Sequence, residues 1–168
     1  KLFAGIGPDR AYFGRKDAQQ LAVVTTLARD LSFPVTVVGR PIVREADGLA
    51  LSSRNVRLDA AGRPRALGLS AGLMAAADRY DEGCRSAHEL VDTATEVMVA
   101  AGADPEYVSL ADAATAEPMH AMAGTQFLAV AARVGDVRLI DNVTIDTNTG
   151  TVDRGIRLNR PSILYGGS

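Results

Sequence analysis

Residues 11–38 read AYFGRKDAQQLAVVTTLARDLSFPVTVV, and this stretch predicts a strand, a helix and a second strand. The apolar runs at 11–13 and 35–38 are typical of strands, the second because its residues are β-branched. A serine, a phenylalanine and a proline at 32–34 end the helix, since the residue before a proline is pushed out of the α region. The apolar face of this helix has residues at helical spacing: Leu21, Val24, Ala28 and Leu31. Strand, helix, strand is the repeating unit of a parallel, helix-covered sheet.

The start of this helix carries a capping signal. Asp17 is expected to be its N-cap, and Gln20 three residues later completes a capping-box-like pair. One strand–helix–strand unit does not make a stable sheet alone, so residues 1–42 are interpreted as the end of a larger α/β domain. The first residues, KLFAGIG, have no initiator Met and no signal-peptide design, so the chain is expected to begin mid-protein.

Residues 43–168 are predicted to form a separate, small α+β domain, a helix pair on antiparallel strands. One helix is expected from 58 toward 80, and a second, with a Ser86–Glu89 capping box, to end near Gly102. Strands are predicted at 105–111, 126–133 and 137–147, with a hairpin at 135–136 joining the last two. The Gly- and Asn-rich tail from about residue 148 is expected to be loosely held.

Composition restricts the function classes. The chain has 168 residues, 47% of them hydrophobic, and a net charge of −2, which gives no case for a broad nucleic-acid-binding surface. No apolar run is long enough to predict a membrane span. Cys84 is the only cysteine, so a disulfide within the chain or a thiolate metal cluster is excluded, and a reducing, cytoplasmic setting is expected.

The turn Gly14-Arg15-Lys16-Asp17 is the first candidate binding segment. A strand that runs through a glycine into a helix N-terminus presents free N–H groups and the positive end of the helix dipole, which suit phosphate. Lys16 adds a mobile positive charge, and Gln20, one turn later, is able to bond a hydroxyl or a carboxylate. The alternative is that Asp17 and Gln20 only cap the helix while Arg15 and Lys16 are solvated.

The second candidate is the polar stretch 43–57, VREADGLALSSRNVR, which is too charged for a core strand and is expected to be organised by a phosphate-carrying ligand. Within it, Ser52, Ser53 and Arg54 offer two hydroxyls and a guanidinium suited to a triphosphate. The alternative is a turn whose serines satisfy local backbone while the arginine points into water. Neither serine has the setting of a hydrolase nucleophile. His88 and His120 are interpreted as structural or solvated, and no spacing suggests a metal site.

Three segments, 8–21, 43–55 and 130–142, resemble the pantothenate synthetase (pantoate–β-alanine ligase) family. The resemblance covers nearly the whole chain except the tail. It implies a Rossmann-like nucleotidyltransferase sheet followed by a C-terminal lid domain. The family uses a His-x-Gly-His signature and a second, serine-containing phosphate loop, and residues 51–54 match that loop.

The resemblance also implies a reaction. The pantoate carboxylate attacks the α-phosphorus of ATP, which gives pantoyl adenylate and pyrophosphate, and the amine of β-alanine then displaces AMP to form pantothenate. Mg²⁺ accompanies ATP. The intact protein is expected to be a cytoplasmic homodimer that binds these small molecules and binds neither nucleic acid nor a membrane.

Residue roles follow from the same resemblance. Gln20 matches a pantoate-binding glutamine, and Val43 matches a position that contacts adenine or ribose through its backbone. The residues expected to bind ATP are Gly14, Arg15, Lys16, Asp17, Val43, Leu51, Ser52, Ser53 and Arg54. Those expected to take part in catalysis are Lys16, Ser52, Ser53 and Arg54.

The sequence departs from the family pattern at two points. Arg15 stands where the turn usually has Glu or Gln. Neither histidine lies in a His-x-Gly-His sequence, so the half that carries the catalytic histidines, a second pantoate glutamine and the Mg²⁺ carboxylates is expected to lie outside this chain. The chain alone is therefore expected to be nearly inactive. Two alternatives stay open: a non-catalytic nucleotide-binding or interaction module from a paralogue, and a nucleotidyltransferase that activates another acid.

Overall fold

The computed structural model describes residues 1–160, which form four α-helices, eight strands and two short 3₁₀ helices. The helices are α1 (Leu2–Ile6), α2 (Ala18–Asp30), α3 (Gly62–Asp81) and α4 (Ala87–Ala100). The strands are β1 (Arg10–Gly14), β2 (Thr36–Arg40), β3 (Val43–Arg44), β4 (Asp104–Asp112), β5 (Thr125–Val134), β6 (Val137–Asp146), β7 (Thr151–Asp153) and β8 (Ile156–Arg157). The 3₁₀ helices are Arg15–Asp17 and Ser53–Arg57.

The predicted strand–helix–strand unit is confirmed: β1 and β2 pair in parallel and α2 connects them. Asp17 is the N-cap residue of α2, as predicted, but its side chain makes no capping hydrogen bond, and the chain enters α2 through a 3₁₀ turn. Of the predicted apolar face of α2, Ala28 is buried whereas Leu31 is 62% exposed. The two strands cover only part of a helix this long, and Val23, Leu27 and Leu31 remain exposed.

The predicted helix pair on antiparallel strands is also confirmed. Strands β4, β5, β6 and β7 form one antiparallel sheet in that order. Helices α3 and α4 pack on one face of it around a buried apolar cluster that includes Leu69, Leu73, Leu90, Met98, Leu128 and Val143. The Ser86 hydroxyl accepts from the Glu89 N–H at 3.3 Å, and Gly102, at φ 78°, follows the end of α4, as predicted.

Glycine sets the distance between the two helices. A Cβ atom on Gly72 of α3 would lie 2.5 Å from the Ala94 carbonyl oxygen of α4. One on Gly68 would lie 2.7 Å from the Ala101 Cβ atom. The bare backbone of α3 therefore allows α4 to approach closely enough to close the core.

The segment after residue 148 has more structure than expected. Strand β7 extends the antiparallel sheet, and β8 pairs in parallel with β3, so that Val43 lies opposite Ile156. Gly155, at φ 83°, permits this approach, because a Cβ atom there would lie 2.5 Å from the Ile42 carbonyl oxygen. Residues 161–168 of the predicted tail lie outside the described part.

The chain passes from one sheet to another near the predicted boundary at 42/43, since β2 ends at Arg40 and β3 begins at Val43. The division into two domains stays a prediction. Among residues 1–160, none of the helices combines the length and the apolar character that a membrane crossing requires.

Candidate functional site

A cavity of about 330 Å³ lies between the start of α2 and the face of the antiparallel sheet opposite α3 and α4. The turn and α2 contribute Lys16, Asp17 and Gln20, and the second 3₁₀ helix contributes Arg54. The sheet contributes aromatic and polar side chains: Tyr107, Phe127, Arg138, Asp141 and Asn142. The cavity is therefore polar, and it has cations on more than one side.

Four of the predicted site residues meet at this cavity: Lys16, Asp17, Gln20 and Arg54. They come from the two candidate segments, which the fold brings together. The other predicted residues, Gly14, Arg15, Val43, Leu51, Ser52 and Ser53, are not in the cavity wall.

Lys16 is a partly buried cation of the cavity. Burial lowers the pKa of its ammonium group, and the nearby Arg54 guanidinium lowers it further. The carboxylates of Asp17 and Asp141 oppose this decrease in pKa. A partly desolvated lysine and a second cation beside one cavity favour an anionic ligand, because an anion offsets both the desolvation of Lys16 and its repulsion by Arg54.

Two consecutive residues of β6 hold both candidate segments. Strand side chains alternate between the faces of a sheet. Asp141 therefore lies on the helix side, where it pairs with Arg44, and Asn142 lies on the opposite side, where it contacts the 14–17 turn. Strand β6 thus fixes the polar stretch 43–57 on one face and the turn on the other.

The Arg44–Asp141 pair is buried, with exposed fractions of 4% and 3%. Arg44 Nη1 and Nη2 donate to the two carboxylate oxygens at 2.6 and 3.1 Å. The remaining guanidinium N–H groups donate to three backbone carbonyls, those of Gly48, Asn142 and Arg154. Burial raises the pKa of the Asp141 carboxyl group, and the Arg44 guanidinium opposes that rise. With five donors and five acceptors matched, Arg44 has no N–H left for a phosphate.

The rest of the 43–57 stretch is also organised by the protein itself. Buried Glu45 accepts from Asn55 Nδ2 and from Arg63 Nη2, both at 2.6 Å, and Arg63 also pairs with Asp47 at 2.7 Å. The expectation that a phosphate-carrying ligand organises this stretch is therefore wrong. Sequence reasoning missed this because Arg63 lies on α3, outside the stretch.

The two serines and Arg54 begin the second 3₁₀ helix. The Ser52 hydroxyl accepts from the Arg54 backbone N–H at 3.2 Å. This is the local turn interaction expected if the segment does not bind phosphate. Ser53 and Arg54 are exposed, and Arg54 reaches the cavity. The hydroxyl of Ser52 is therefore used in the turn, while the Arg54 guanidinium faces the cavity.

Arg15 points away from this cavity. Its Nη1 donates to the Asp153 carboxylate of β7 at 2.7 Å, and its side chain lines a second cavity of about 250 Å³. The extra positive charge in the turn therefore tethers the turn to the sheet instead of lying beside Lys16.

The sheet residues of the cavity were not predicted as site residues, although Arg138, Asp141 and Asn142 lie in the segment 130–142 that carries the family resemblance. The available signal was two adjacent polar residues, Asp141 and Asn142, between the apolar residues 139–140 and 143 of the strand. Both are buried, and buried polar groups usually have fixed partners.

Mg²⁺ does not fit the described residues. Within residues 1–160 no group of three or more His, Cys, Asp or Glu side chains is placed to hold a metal ion. Asp141, in the cavity wall, has both carboxylate oxygens engaged by Arg44. The predicted Mg²⁺ ligands are therefore not among these side chains, and no chemical step is derived through the ion.

Comparison with known proteins gives consistent matches. A family model described as pantoate-beta-alanine ligase matches residues 1–144. The pantothenate synthetase of Heliobacterium modesticaldum is 48% identical over 147 residues, which are 87% of this chain and 52% of that protein. The crystal structure of pantothenate synthetase from Thermus thermophilus matches with a TM-score of 0.78 and 42% identity, over 84% of this chain and 51% of that one.

A third match carries ligands. The pantoate-beta-alanine ligase of Francisella tularensis, crystallised with beta-gamma ATP and beta-alanine, matches with a TM-score of 0.53 and 25% identity. The match covers 84% of this chain and 45% of the Francisella tularensis chain. The chain thus spans about half the length of the relatives that it matches.

Proposed function

The chain belongs to the pantoate–β-alanine ligase family, and from this premise we propose that the protein joins pantoate and β-alanine to pantothenate at the expense of ATP. The observation that carries the proposal is the polar cavity where Lys16, Gln20 and Arg54 meet from separate segments of the chain. Relatives named pantothenate synthetase and the ATP- and β-alanine-bound homologue support it.

In the proposed first step, a pantoate carboxylate oxygen forms a bond to the α-phosphorus of ATP. The bond from that phosphorus to the bridging oxygen breaks, and pyrophosphate leaves. Negative charge grows on the phosphate oxygens as this happens. Lys16 and Arg54 are proposed to offset that charge, because both line the cavity and the burial of Lys16 strengthens its interaction with an anion.

In the proposed second step, the amine of β-alanine attacks the acyl carbon of pantoyl adenylate. A C–N bond forms, the C–O bond to AMP breaks, and the amine loses a proton to solvent. Gln20 is proposed to hold pantoate through its hydroxyl or carboxylate groups. Walls on several sides of the intermediate limit the access of water, which would otherwise hydrolyse the adenylate.

The remaining assignments rest on the resemblance. Gly14, Asp17, Val43 and the 51–53 segment are proposed to contact the nucleotide, with Val43 acting through its backbone. Ser52 contributes by shaping the turn that presents Arg54. Mg²⁺ bound with ATP, a homodimer and a cytoplasmic location remain part of the proposal. Residues 1–168 alone are proposed to turn over little, since they span about half of the relatives.

The test uses the protein as its gene encodes it and measures pantothenate and AMP formation with ATP, pantoate and β-alanine. Arg54→Ala is compared with Arg57→Ala, because both arginines are exposed in the same 3₁₀ helix but only Arg54 lines this cavity. Loss of one donor to developing charge is expected to lower kcat by about 10²- to 10³-fold. Arg57→Ala is expected to retain the wild-type rate.

Each outcome has a definite meaning. Equal rates for the two variants would refute the role of the cavity. ATP binding by the wild type without pantothenate would favour the non-catalytic nucleotide-binding module instead. AMP formation with a different acid, but not with pantoate, would favour a related nucleotidyltransferase.

A further inference from the structure

We propose that Asn142 is a positioning residue for Lys16: its side-chain amide fixes the backbone from which the Lys16 side chain reaches the cavity. This inference rests on the proposed function for the role of Lys16. The hydrogen bonds that carry it are independent of that function.

The geometry is specific. Asn142 is 2% exposed, and its Nδ2 atom donates to the carbonyl oxygens of both Arg15 and Lys16 at 2.9 Å. Carbonyl oxygens only accept, so the nitrogen of the amide must face them, and this settles which way the amide points. Both Nδ2 protons are used, and they join consecutive peptide groups of one turn.

Asn142 is itself held firmly. Its backbone N–H donates to Asp141 Oδ1 at 2.8 Å, and its carbonyl accepts from Arg44 Nη2 at 3.2 Å. Strand β6 lies between β5 and β7 in the sheet. The buried Arg44–Asp141 pair on one face therefore stiffens the residue that holds the turn on the other face.

The position of the Lys16 ammonium group depends on a fixed backbone at residue 16. Its side chain has four rotatable bonds, and its turn is a three-residue 3₁₀ helix, which has few hydrogen bonds of its own. Errors of about 1 Å in the position of a reacting or stabilising group cost about 10²-fold in rate. Loss of both amide bonds is therefore expected to reduce kcat through the position of Lys16.

The first test is a double-mutant cycle in the protein as its gene encodes it. Asn142→Asp keeps the side-chain size but places an oxygen against two carbonyl oxygens, and Asn142→Ser keeps a single donor. We expect kcat to fall about 10²-fold with Asn142→Asp and less with Asn142→Ser, while KM for β-alanine changes little. In a Lys16→Ala background, Asn142→Asp is expected to cost nothing further, because Asn142 acts through Lys16.

A general structural role for Asn142 would instead lower the rate by the same factor in both backgrounds, and that result would overturn the proposal. The control is Gln126→Leu, which removes another fully buried amide from the same sheet. Neither polar atom of the Gln126 side chain has a partner in the described part of the chain. Its kcat is expected to match the wild type.

The second test does not depend on activity. Hydrogen exchange of peptides that cover residues 14–18 is measured by mass spectrometry for the wild type, Asn142→Asp, Asn142→Ser and Gln126→Leu. Exchange is expected to accelerate in the two Asn142 variants only. Equal exchange in all four proteins would refute the tether even if the protein made pantothenate. Faster exchange without any pantothenate formation by the wild type would refute the proposed function and retain the tether.

Discussion

The Arg44–Asp141 pair allows a quantitative prediction for Arg44→Ala. The substitution removes all five guanidinium donors from a site that is almost closed to solvent. It leaves the Asp141 carboxylate without its bidentate partner, and it leaves the carbonyls of Gly48, Asn142 and Arg154 without the donors that bind them now. The alanine adds no compensating hydrogen bond.

The magnitude follows from the uncompensated charge. Removing one member of a buried ion pair costs about 3–5 kcal/mol. Domains of this size typically have about 5–15 kcal/mol of total stability, so the variant retains only a fraction of it. At about 2–4 °C per kcal/mol, the expected fall in Tm is roughly 6–20 °C. Arg44→Lys is expected to lose most of this too, because an ammonium group has no planar fork for Asp141.

The assay is urea unfolding followed by far-UV circular dichroism, with Tm from calorimetry. Arg54→Ala serves as the control, because Arg54 is an exposed arginine of the same polar stretch and is expected to change the free energy of unfolding by less than about 0.5 kcal/mol. A loss below about 1 kcal/mol for Arg44→Ala would show that the pair is not buried and saturated as described.

Three further predictions concern other parts of the molecule. Burial lowers the pKa of Lys16. Between that lowered value and the usual lysine value of about 10.4, the unfolded chain therefore binds more protons than the native one. The free energy of unfolding consequently rises with pH across this window. Lys16→Met should therefore stabilise the protein at pH 7, with a gain that shrinks toward pH 10 in urea unfolding; a pH-independent gain would contradict this. Gln20→Ala should weaken pantoate binding about tenfold or more and ATP binding much less in calorimetric titrations, whereas equal losses would argue against its assigned role. Gly72→Ala should cost about 1–3 kcal/mol, since its Cβ atom meets the Ala94 carbonyl, while Gly5→Ala, with nothing within 4 Å in helix α1, should be neutral to slightly stabilising; equal unfolding midpoints would refute the close helix contact.

Local patterns were enough to predict the longer regular elements. Helix α4 carries its own signals, a serine cap at one end and a glycine at the other, and the three long antiparallel strands are recognisable from their β-branched and apolar residues. The same patterns singled out Lys16 and Arg54 as candidate phosphate-binding cations, and the structure places both at one cavity. Each of these inferences depends on residues close together in the sequence.

The partners of charged residues could not be predicted in this way. Arg44 lies in the stretch that was expected to be organised by a phosphate-carrying ligand, but its partner is Asp141, 97 residues away. Arg15 was expected to bind ATP, but its side chain is paired with Asp153, 138 residues away. Strands β7 and β8 are three and two residues long, too short for an alternating pattern to be visible. Long-range pairing therefore decided which polar residues remain available to a ligand.

The short parallel pairing of β3 with β8 has a consequence for where the protein tolerates shortening. The segment 151–158 supplies the Arg154 carbonyl to Arg44, the Asp153 carboxylate to Arg15 and the Leu158 N–H to the Arg44 carbonyl. The family match ends at residue 144, before all three of these groups. A truncation guided by the family boundary alone would therefore remove the backbone that closes over the ion pair, and a safe C-terminal limit for recombinant work lies beyond Leu158.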